Sequence, residues 1–246
     1  MAGPKITLYV DIVSPFAYMA YYMLRHFPTY YNTRSKTLVE GLIIMPGGEQ
    51  HSPIFKPVNI TYTPILLGGL MKACNNTAPI EIRNKDKWIN TERLRWARQF
   101  RIPMSQDFPA GFPKPTLHLQ RFLTALNMTH PDKLTLALDT LYAALWTEPN
   151  ESDLPDPKVF AGVLDKVLGK DVVAECVRKM GSPEVKKELS AKTDQALNDG
   201  AFGLPWFQCE DAHGKVEGFW GFDHLGQVVR FLGLDISGKG EIRAVM

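Results

Sequence analysis

The chain has 246 residues, of which 45% are hydrophobic and 22% charged, enough for one large buried core or two smaller ones. Its 28 Lys and Arg residues nearly balance its 26 Asp and Glu residues, and no stretch concentrates Lys and Arg with aromatic residues in the manner of a nucleic-acid surface, which argues against nucleic acid as a partner. No apolar run is long enough to span a membrane or to act as a secretion signal. We therefore expect a cytosolic protein, with the mitochondrion and the peroxisome as alternatives.

The cysteines and histidines indicate no metal site. Cys74, Cys176 and Cys209 are too widely spaced for a disulfide framework or a zinc ligand set, which fits a reducing compartment. The six histidines include no His-x-x-x-His pair, and the sequence contains neither a glycine-rich nucleotide loop nor a nucleophile elbow. We expect no metal and no nucleotide cofactor.

The first predicted elements are a strand and a helix joined by a tight turn. Lys5–Asp11 alternates and is rich in β-formers, and Ser14 and Pro15 supply a cap and a first-turn proline for a helix over Phe16–Phe27. Because the start of a helix stabilises anions, Ser14 is either an ordinary cap or a hydrogen-bond donor to the sulfur of a bound thiol. No dithiol is possible at this turn, since neither Ser14 nor Ala17 is a cysteine.

The order of the later predicted elements indicates that the two ends of the chain belong to one domain. In order, they are a strand over Thr37–Ile44, helices from Pro64 to Leu197, strands over Leu204–Gln208 and Val216–Trp220, and a helix over Asp223–Leu232. Proline-rich stretches divide the helical block into separate helices. This order indicates an α/β domain formed by residues 1–63 and 198–246, with residues 64–197 inserted as a helical domain.

Two positions near the C-terminus have alternative interpretations. Pro205 is either a cis proline facing a ligand site or a trans proline at the edge of the sheet. A cis bond would present the backbone of Leu204 to a peptide-like ligand. Asp223 either caps the last helix or binds a ligand amine.

An ordered set of motifs identifies a possible family. The motifs are Asp11–Phe16; Gly69–Lys72 with Asn76 and Pro79; Phe122–Asn127 with His130 and Pro131; Ser182–Lys186 with Thr193; and Gly200–Pro205. In these motifs the chain resembles the kappa class of glutathione transferases and the 2-hydroxychromene-2-carboxylate isomerases, over nearly its whole length. The resemblance implies an α/β, thioredoxin-like domain with a large all-helical, DsbA-like insertion.

The resemblance also implies roles for residues in the first half of the chain. Ser14 would donate a hydrogen bond to the sulfur of glutathione, and Pro15 and Phe16 would line the same turn. Asn76 would lie near the thiol and the second substrate. Lys85 would contact the glycyl carboxylate of glutathione.

In the second half, Leu204 before a cis Pro205 would bind the cysteinyl unit through its backbone, and Asp223 would bind the γ-glutamyl amine. The chain departs from the family at Phe222, where the motif Gly-Ser-Asp is usual. Phe222 has no hydroxyl to donate, so only its backbone N–H is expected to contact glutathione. The connection Met45–Thr63 also looks longer than usual, which would reshape the pocket for the second substrate.

The resemblance implies a glutathione transferase of the kappa type, which activates the glutathione thiolate for attack on a small electrophile, expected to be aromatic. Glutathione would be the co-substrate, and a homodimer is expected from the same resemblance. Two alternatives stay open: a glutathione-dependent cis–trans isomerase of the 2-hydroxychromene-2-carboxylate type, and a non-catalytic binding protein in which Phe222 has closed the glutathione pocket.

Overall fold

The computed structural model describes residues 3–26 and 54–235. Within these ranges the strands are β1 (Lys5–Val10), β2 (Asn59–Pro64), β3 (Trp206–Glu210) and β4 (Val216–Trp220). The helices are α1 (Pro15–His26), α2 (Leu67–Ala73), α3 (Lys85–Phe100), α4 (Leu117–Thr129), α5 (Leu134–Trp146), α6 (Pro157–Leu168), α7 (Lys170–Lys179), α8 (Pro183–Asn198) and α9 (Leu225–Phe231). Single 3-10 turns lie at Pro79–Glu81, Pro131–Lys133 and Phe222–His224.

The strands from both ends of the chain form one mixed sheet in the order β2-β1-β3-β4. β1 runs parallel to β2, and antiparallel to β3, which in turn pairs antiparallel with β4. A parallel pair needs a crossover connection, and α1 lies in that crossover. The sheet and its helices confirm the predicted thioredoxin-like α/β fold with a large helical part.

The parallel partner of β1 lies in an unexpected part of the sequence. β2 spans Asn59–Pro64, most of which falls in the segment Met45–Thr63 that we interpreted as a long connection. Its β-branched and aromatic residues favour a strand. The strand predicted over Thr37–Ile44 lies outside the described residues.

The helical block is confirmed between Pro64 and Leu197, where α2 to α8 follow one another. Its proline-rich stretches fall between helices, as expected: Pro109 lies between α3 and α4, and Pro155 between α5 and α6. None of the helices in the described ranges combines the length and the apolar character needed to cross a lipid bilayer.

One continuous core joins the sheet to the helical block. A single cluster of buried side chains includes Leu8 of β1, Phe122 of α4 and Phe160 of α6. Trp146 of α5 donates its indole N–H to the carbonyl of Ile12 at 2.9 Å, directly after β1. The helices therefore support the end of β1, while the domain boundaries at residues 63/64 and 197/198 stay a prediction.

A largely buried carboxylate ties the end of α1 to α5. Asp139 accepts hydrogen bonds from Tyr21 Oη at 2.7 Å and Arg25 Nη2 at 3.0 Å, and His26 Nε2 lies 2.7 Å away. Burial alone raises the pKa of Asp139, but the hydrogen bonds with His26 and Arg25 outweigh it and hold this pKa below its ordinary value. Asp139 therefore stabilises the folded state in its ionised form.

We predict that Asp139→Asn lowers the free energy of unfolding by about 3 kcal/mol at neutral pH, because it removes the negative charge that pairs with the Arg25 guanidinium. Since the pKa of Asp139 is lower in the folded state, its contribution is complete above about pH 4 and is lost as the pH falls through the folded-state pKa. Urea unfolding of wild type and variant between pH 7 and pH 3 measures this. The exposed Asp132→Asn is the control, and a difference between wild type and Asp139→Asn that does not shrink with falling pH contradicts the prediction.

Candidate functional site

Ser14, at the start of α1, has a hydroxyl proton that is not donated to another described residue. Ser14 is only 5% exposed, and its Oγ accepts a hydrogen bond from the backbone N–H of Ala17 at 3.1 Å, so Ser14 does cap the helix. Its hydroxyl donates to no other residue in the described ranges, and the N–H of Phe16 also has no partner there. Pro15 is buried beneath this turn, while the ring of Phe16 is half-buried against the core. The turn can still donate hydrogen bonds to a ligand anion.

The turn is held by Asp11, a buried residue that our sequence analysis quoted in a motif but gave no role. The Asp11 carboxylate accepts hydrogen bonds from the N–H groups of Val13 at 3.2 Å and Leu67 at 2.9 Å. It also accepts from Thr116 Oγ1 at 2.8 Å and Gln120 Nε2 at 2.9 Å. Burial raises the pKa of Asp11, although these four donors act against the rise. At 1% exposure Asp11 is out of reach of a ligand, and its hydrogen bonds position the turn.

Leu204 and Pro205 lie beside this turn. Trp206, the first residue of β3, pairs with Tyr9 near the end of β1, and Leu204 belongs to the same apolar cluster as Ala17 in the first turn of α1. The Leu204–Pro205 peptide bond is cis, as the resemblance implied. Neither the N–H nor the C=O of Leu204 has a hydrogen-bond partner within the described part of the chain. This backbone is available to a peptide-like ligand.

Two hydrogen bonds bring further predicted residues to the same place. Asn76, just after α2, donates its Nδ2 to the carbonyl of Phe202 at 2.7 Å. The N–H of Gly221 donates to the carbonyl of Pro205 at 3.0 Å, which sets the turn containing Asp223 beside the cis proline. Gly221 has φ +97°, a conformation that favours glycine, and a Cβ there would overlap the Asp223 carboxylate.

The ring of Phe222 points away from the candidate ligand groups. Its side chain is 2% exposed and packs edge-on against Trp96 and Phe100 of α3, with ring centroids 5.6 and 5.5 Å apart. The neighbouring Asp223 side chain is 60% exposed, and its Oδ1 lies 3.4 Å from His224 Nδ1. The Phe222 side chain therefore leaves the Asp223 carboxylate accessible.

Lys85 is the predicted site residue that the structure does not connect to the others. It is exposed at the first position of α3, and its backbone N–H donates to Ile82. No described hydrogen bond or ion pair joins Lys85 to the other predicted residues. Its role stays a prediction.

Two exposed rings border the site, and sequence reasoning did not find them. Phe202 and Trp220 are 40% and 45% exposed, and their ring centroids are 4.9 Å apart. Phe202 carries the carbonyl that binds Asn76, and a Cβ on Gly203 would come within 3.0 Å of Trp220 Nε1. The pair forms an aromatic wall next to Asn76 and Leu204.

The described cysteines do not form a redox site. Cys176 and Cys209 are buried, and all three cysteines are free thiols. Burial, with a smaller effect from Glu217, raises the pKa of Cys209 to about 12, so this thiol is protonated at neutral pH. Within the described ranges, no group of three or more His, Cys, Asp or Glu side chains could hold a metal ion.

The fold and this site define a class of protein. The chain belongs to the family of DsbA-like thioredoxin domains, whose sequence profile matches residues 5–233. Both the β1–α1 turn and the cis Pro205 lie within the residues that match this family.

Relatives within this class refine the comparison. The chain is 24% identical to glutathione S-transferase kappa 1 of Homo sapiens over 93% of its own length and 90% of that protein. It is 25% identical to 2-hydroxychromene-2-carboxylate isomerase of Sphingobium xenophagum, over 92% and 97% of the two chains. A solved structure of a 2-hydroxychromene-2-carboxylate isomerase matches the fold with a TM-score of 0.67 at 20% identity, covering 93% of this chain and 94% of that one. The relatives are enzymes, and their names point to a glutathione-related family.

We predict that Asp11→Asn destabilises the protein by about 1 to 3 kcal/mol, although the two side chains have nearly the same shape. One side of the asparagine side chain is an NH₂ group, which is a donor and cannot accept the hydrogen bonds that the Asp11 carboxylate receives there. At least one buried N–H or O–H group is therefore left without an acceptor. Urea unfolding measures the loss, with the exposed Asp171→Asn as the control. Equal stability of Asp11→Asn and wild type would show that these hydrogen bonds do not hold the turn.

Proposed function

We propose that the chain is a glutathione transferase of the kappa type, which activates the thiolate of glutathione for attack on a small electrophile. The observation that carries the proposal is the unpaired backbone of Leu204 beside a helix start whose serine has a hydroxyl proton still to donate. An extended peptide can pair with such an unpaired backbone, and in this proposal the cysteinyl unit of the ligand does so and directs its sulfur at the Ser14 hydroxyl. The names of the kappa relatives support glutathione as that peptide.

In this proposal Ser14 stabilises the sulfur anion and is not itself a nucleophile. Its Oγ already accepts from Ala17 N–H, so its own proton is directed elsewhere, and the free Phe16 N–H and the helix macrodipole add positive potential. Lowering a thiol pKa by one unit from about 8.5 requires about 1.4 kcal/mol of preferential interaction with the thiolate. One hydrogen bond to a charged group supplies about 1.5 to 3 kcal/mol.

The other ends of glutathione are assigned to the remaining groups. The exposed Asp223 carboxylate binds the γ-glutamyl amine, and the backbone N–H of Phe222 at the same turn binds the adjoining carboxylate. Lys85 binds the glycyl carboxylate, and Asn76 lies between the thiol and the second substrate. A homodimer, expected from the resemblance, stays a prediction.

The aromatic wall of Phe202 and Trp220 favours an aromatic electrophile. The exposed faces of both rings border Asn76 and Leu204, where the second substrate must lie to meet the sulfur. Aromatic pairs prefer offset-stacked or edge-to-face geometry, which orients a planar substrate.

A second candidate reaction is the cis–trans isomerisation of a conjugated ring compound, in which the same thiolate adds reversibly. The relative named 2-hydroxychromene-2-carboxylate isomerase favours this candidate. Analysis of the products separates the two reactions, because a conjugate of glutathione accumulates only in a transferase. A binding protein without a glutathione pocket is disfavoured, since the Phe222 ring is packed in the core.

We predict that Ser14→Ala lowers kcat/KM for conjugation of a chlorodinitrobenzene by about ten- to a hundredfold, and raises the pKa of enzyme-bound glutathione by about one to two units. The pKa is read from the ultraviolet absorbance of the thiolate as a function of pH. Ser182→Ala is a matched control, because Ser182 also precedes a proline and caps a helix, accepting from Val185 N–H at 3.3 Å. Both variants lose a cap, so an equal loss of activity in both would remove the thiolate role of Ser14.

We predict that calorimetric titration detects glutathione and S-methyl glutathione binding, and that Asp223→Ala weakens both by about tenfold, because the ligand amine loses an ionic hydrogen bond. Glu217→Ala is the control, since Glu217 is an exposed acid on the adjacent strand β4. If wild-type protein binds neither ligand at millimolar concentration, the binding-protein alternative replaces the transferase.

A further inference from the structure

A cavity lies in the helical part of the protein, between α2, α4 and α8, with a volume of about 310 Å³. This lies at the lower end of the range of about 300 to 1,000 Å³ that is usual for small-molecule sites. None of the predicted site residues, such as Ser14, Leu204 or Asp223, lines it. The cavity is therefore distinct from the candidate glutathione site.

The wall of this cavity is mostly apolar but carries an excess of positive charge. Leu117 of α4 and Leu189 and Leu197 of α8 supply apolar surface. The charged groups that line it are Arg121, Lys186 and Asp194, two cations and one acid. An apolar surface with a net positive charge is complementary to an organic anion.

Arg121 supplies a second, independent observation. Its Nε is buried, and it has no hydrogen-bond partner among the described residues. Arg121 also takes part in no ion pair within those ranges. The terminal nitrogens of Arg121 also make no hydrogen bond within the described ranges and, unlike Nε, they are not buried. Guanidinium groups bind carboxylates through two parallel hydrogen bonds, so a carboxylate in the cavity would pair with these terminal N–H groups.

The geometry points to a binding site for small amphipathic carboxylates, in which Arg121 binds the carboxylate, Lys186 adds positive potential at the rim, and the leucines contact the apolar body. We infer this from the coincidence of the cavity, the unpaired Arg121 donor and the apolar wall. The site is separate from glutathione chemistry, and its test does not depend on the proposed function.

Naphthoate and decanoate are suitable probes, since each combines one carboxylate with an apolar body, and uncharged naphthamide tests the need for charge. Calorimetry and intrinsic fluorescence should detect both carboxylates and much weaker naphthamide binding. Arg121→Gln should weaken naphthoate about tenfold or more while leaving naphthamide unchanged. Arg178→Gln is the matched control, because Arg178 is an exposed arginine on α7 that does not line the cavity.

A second variant keeps the test decisive if Arg121→Gln folds poorly. Ala73→Leu, at an exposed position on the wall formed by α2, should reduce the affinity for both carboxylates by occupying the cavity. Saturating glutathione should leave naphthoate binding unchanged. Naphthoate affinity that is equal in wild type and both variants, or competition with glutathione, would overturn the inference. The absence of binding by either carboxylate would also overturn it, and a dimer that dissociates on Ala73→Leu would then assign the cavity to a contact between two copies of the chain.

Discussion

The buried carboxylate of Asp11 is the point on which the arrangement of the site depends. It follows β1 directly, and its oxygens receive hydrogen bonds from the starts of α2 and α4, at Leu67 and Thr116. The backbone carbonyl of Asp11 accepts from the N–H of Ser14 at 3.2 Å, so the same residue also sets the entry to α1. Burying a carboxylate is costly unless its lone pairs are satisfied, and the segments that satisfy them must come together for the protein to fold.

Around this fixed frame, the groups left without protein partners are those that would meet a ligand. The Leu204 backbone, the Ser14 hydroxyl proton and the Phe16 N–H are all unpaired in the described ranges, while the N–H of Ala17 and the carbonyl of Pro205 beside them are bonded. The hydrogen bond from Gly221 to Pro205 adds Asp223 to this set by a connection through the backbone. Unpaired donors and acceptors that are held in place by hydrogen-bonded neighbours are preorganised for binding a ligand.

Phe222, where the resemblance implied a serine, is accommodated by packing in the core. A hydroxyl is absent at this position, and the ring instead makes edge-on contacts with Trp96 and Phe100. Such contacts stabilise the turn through burial and aromatic geometry, so the chain holds Gly221 and Asp223 in place by a different interaction. The Phe222 ring therefore contributes a hydrophobic contact and places no bulk beside the exposed Asp223 carboxylate.

The sequence by itself determined the local elements: the strand Lys5–Val10, the Ser14 cap, the hairpin strand Val216–Trp220 and the helical block, because these depend on residue patterns within one or two turns or strands. Only the tertiary structure decided that Asn59–Pro64 pairs with β1, that Asp11 meets Thr116 across 105 positions of sequence, and that the Phe222 ring enters the core. It also decided that the rings of Phe202 and Trp220 meet. Strand pairing and buried polar contacts depend on which distant groups the whole fold brings together, and neighbouring residues carry no information on that choice.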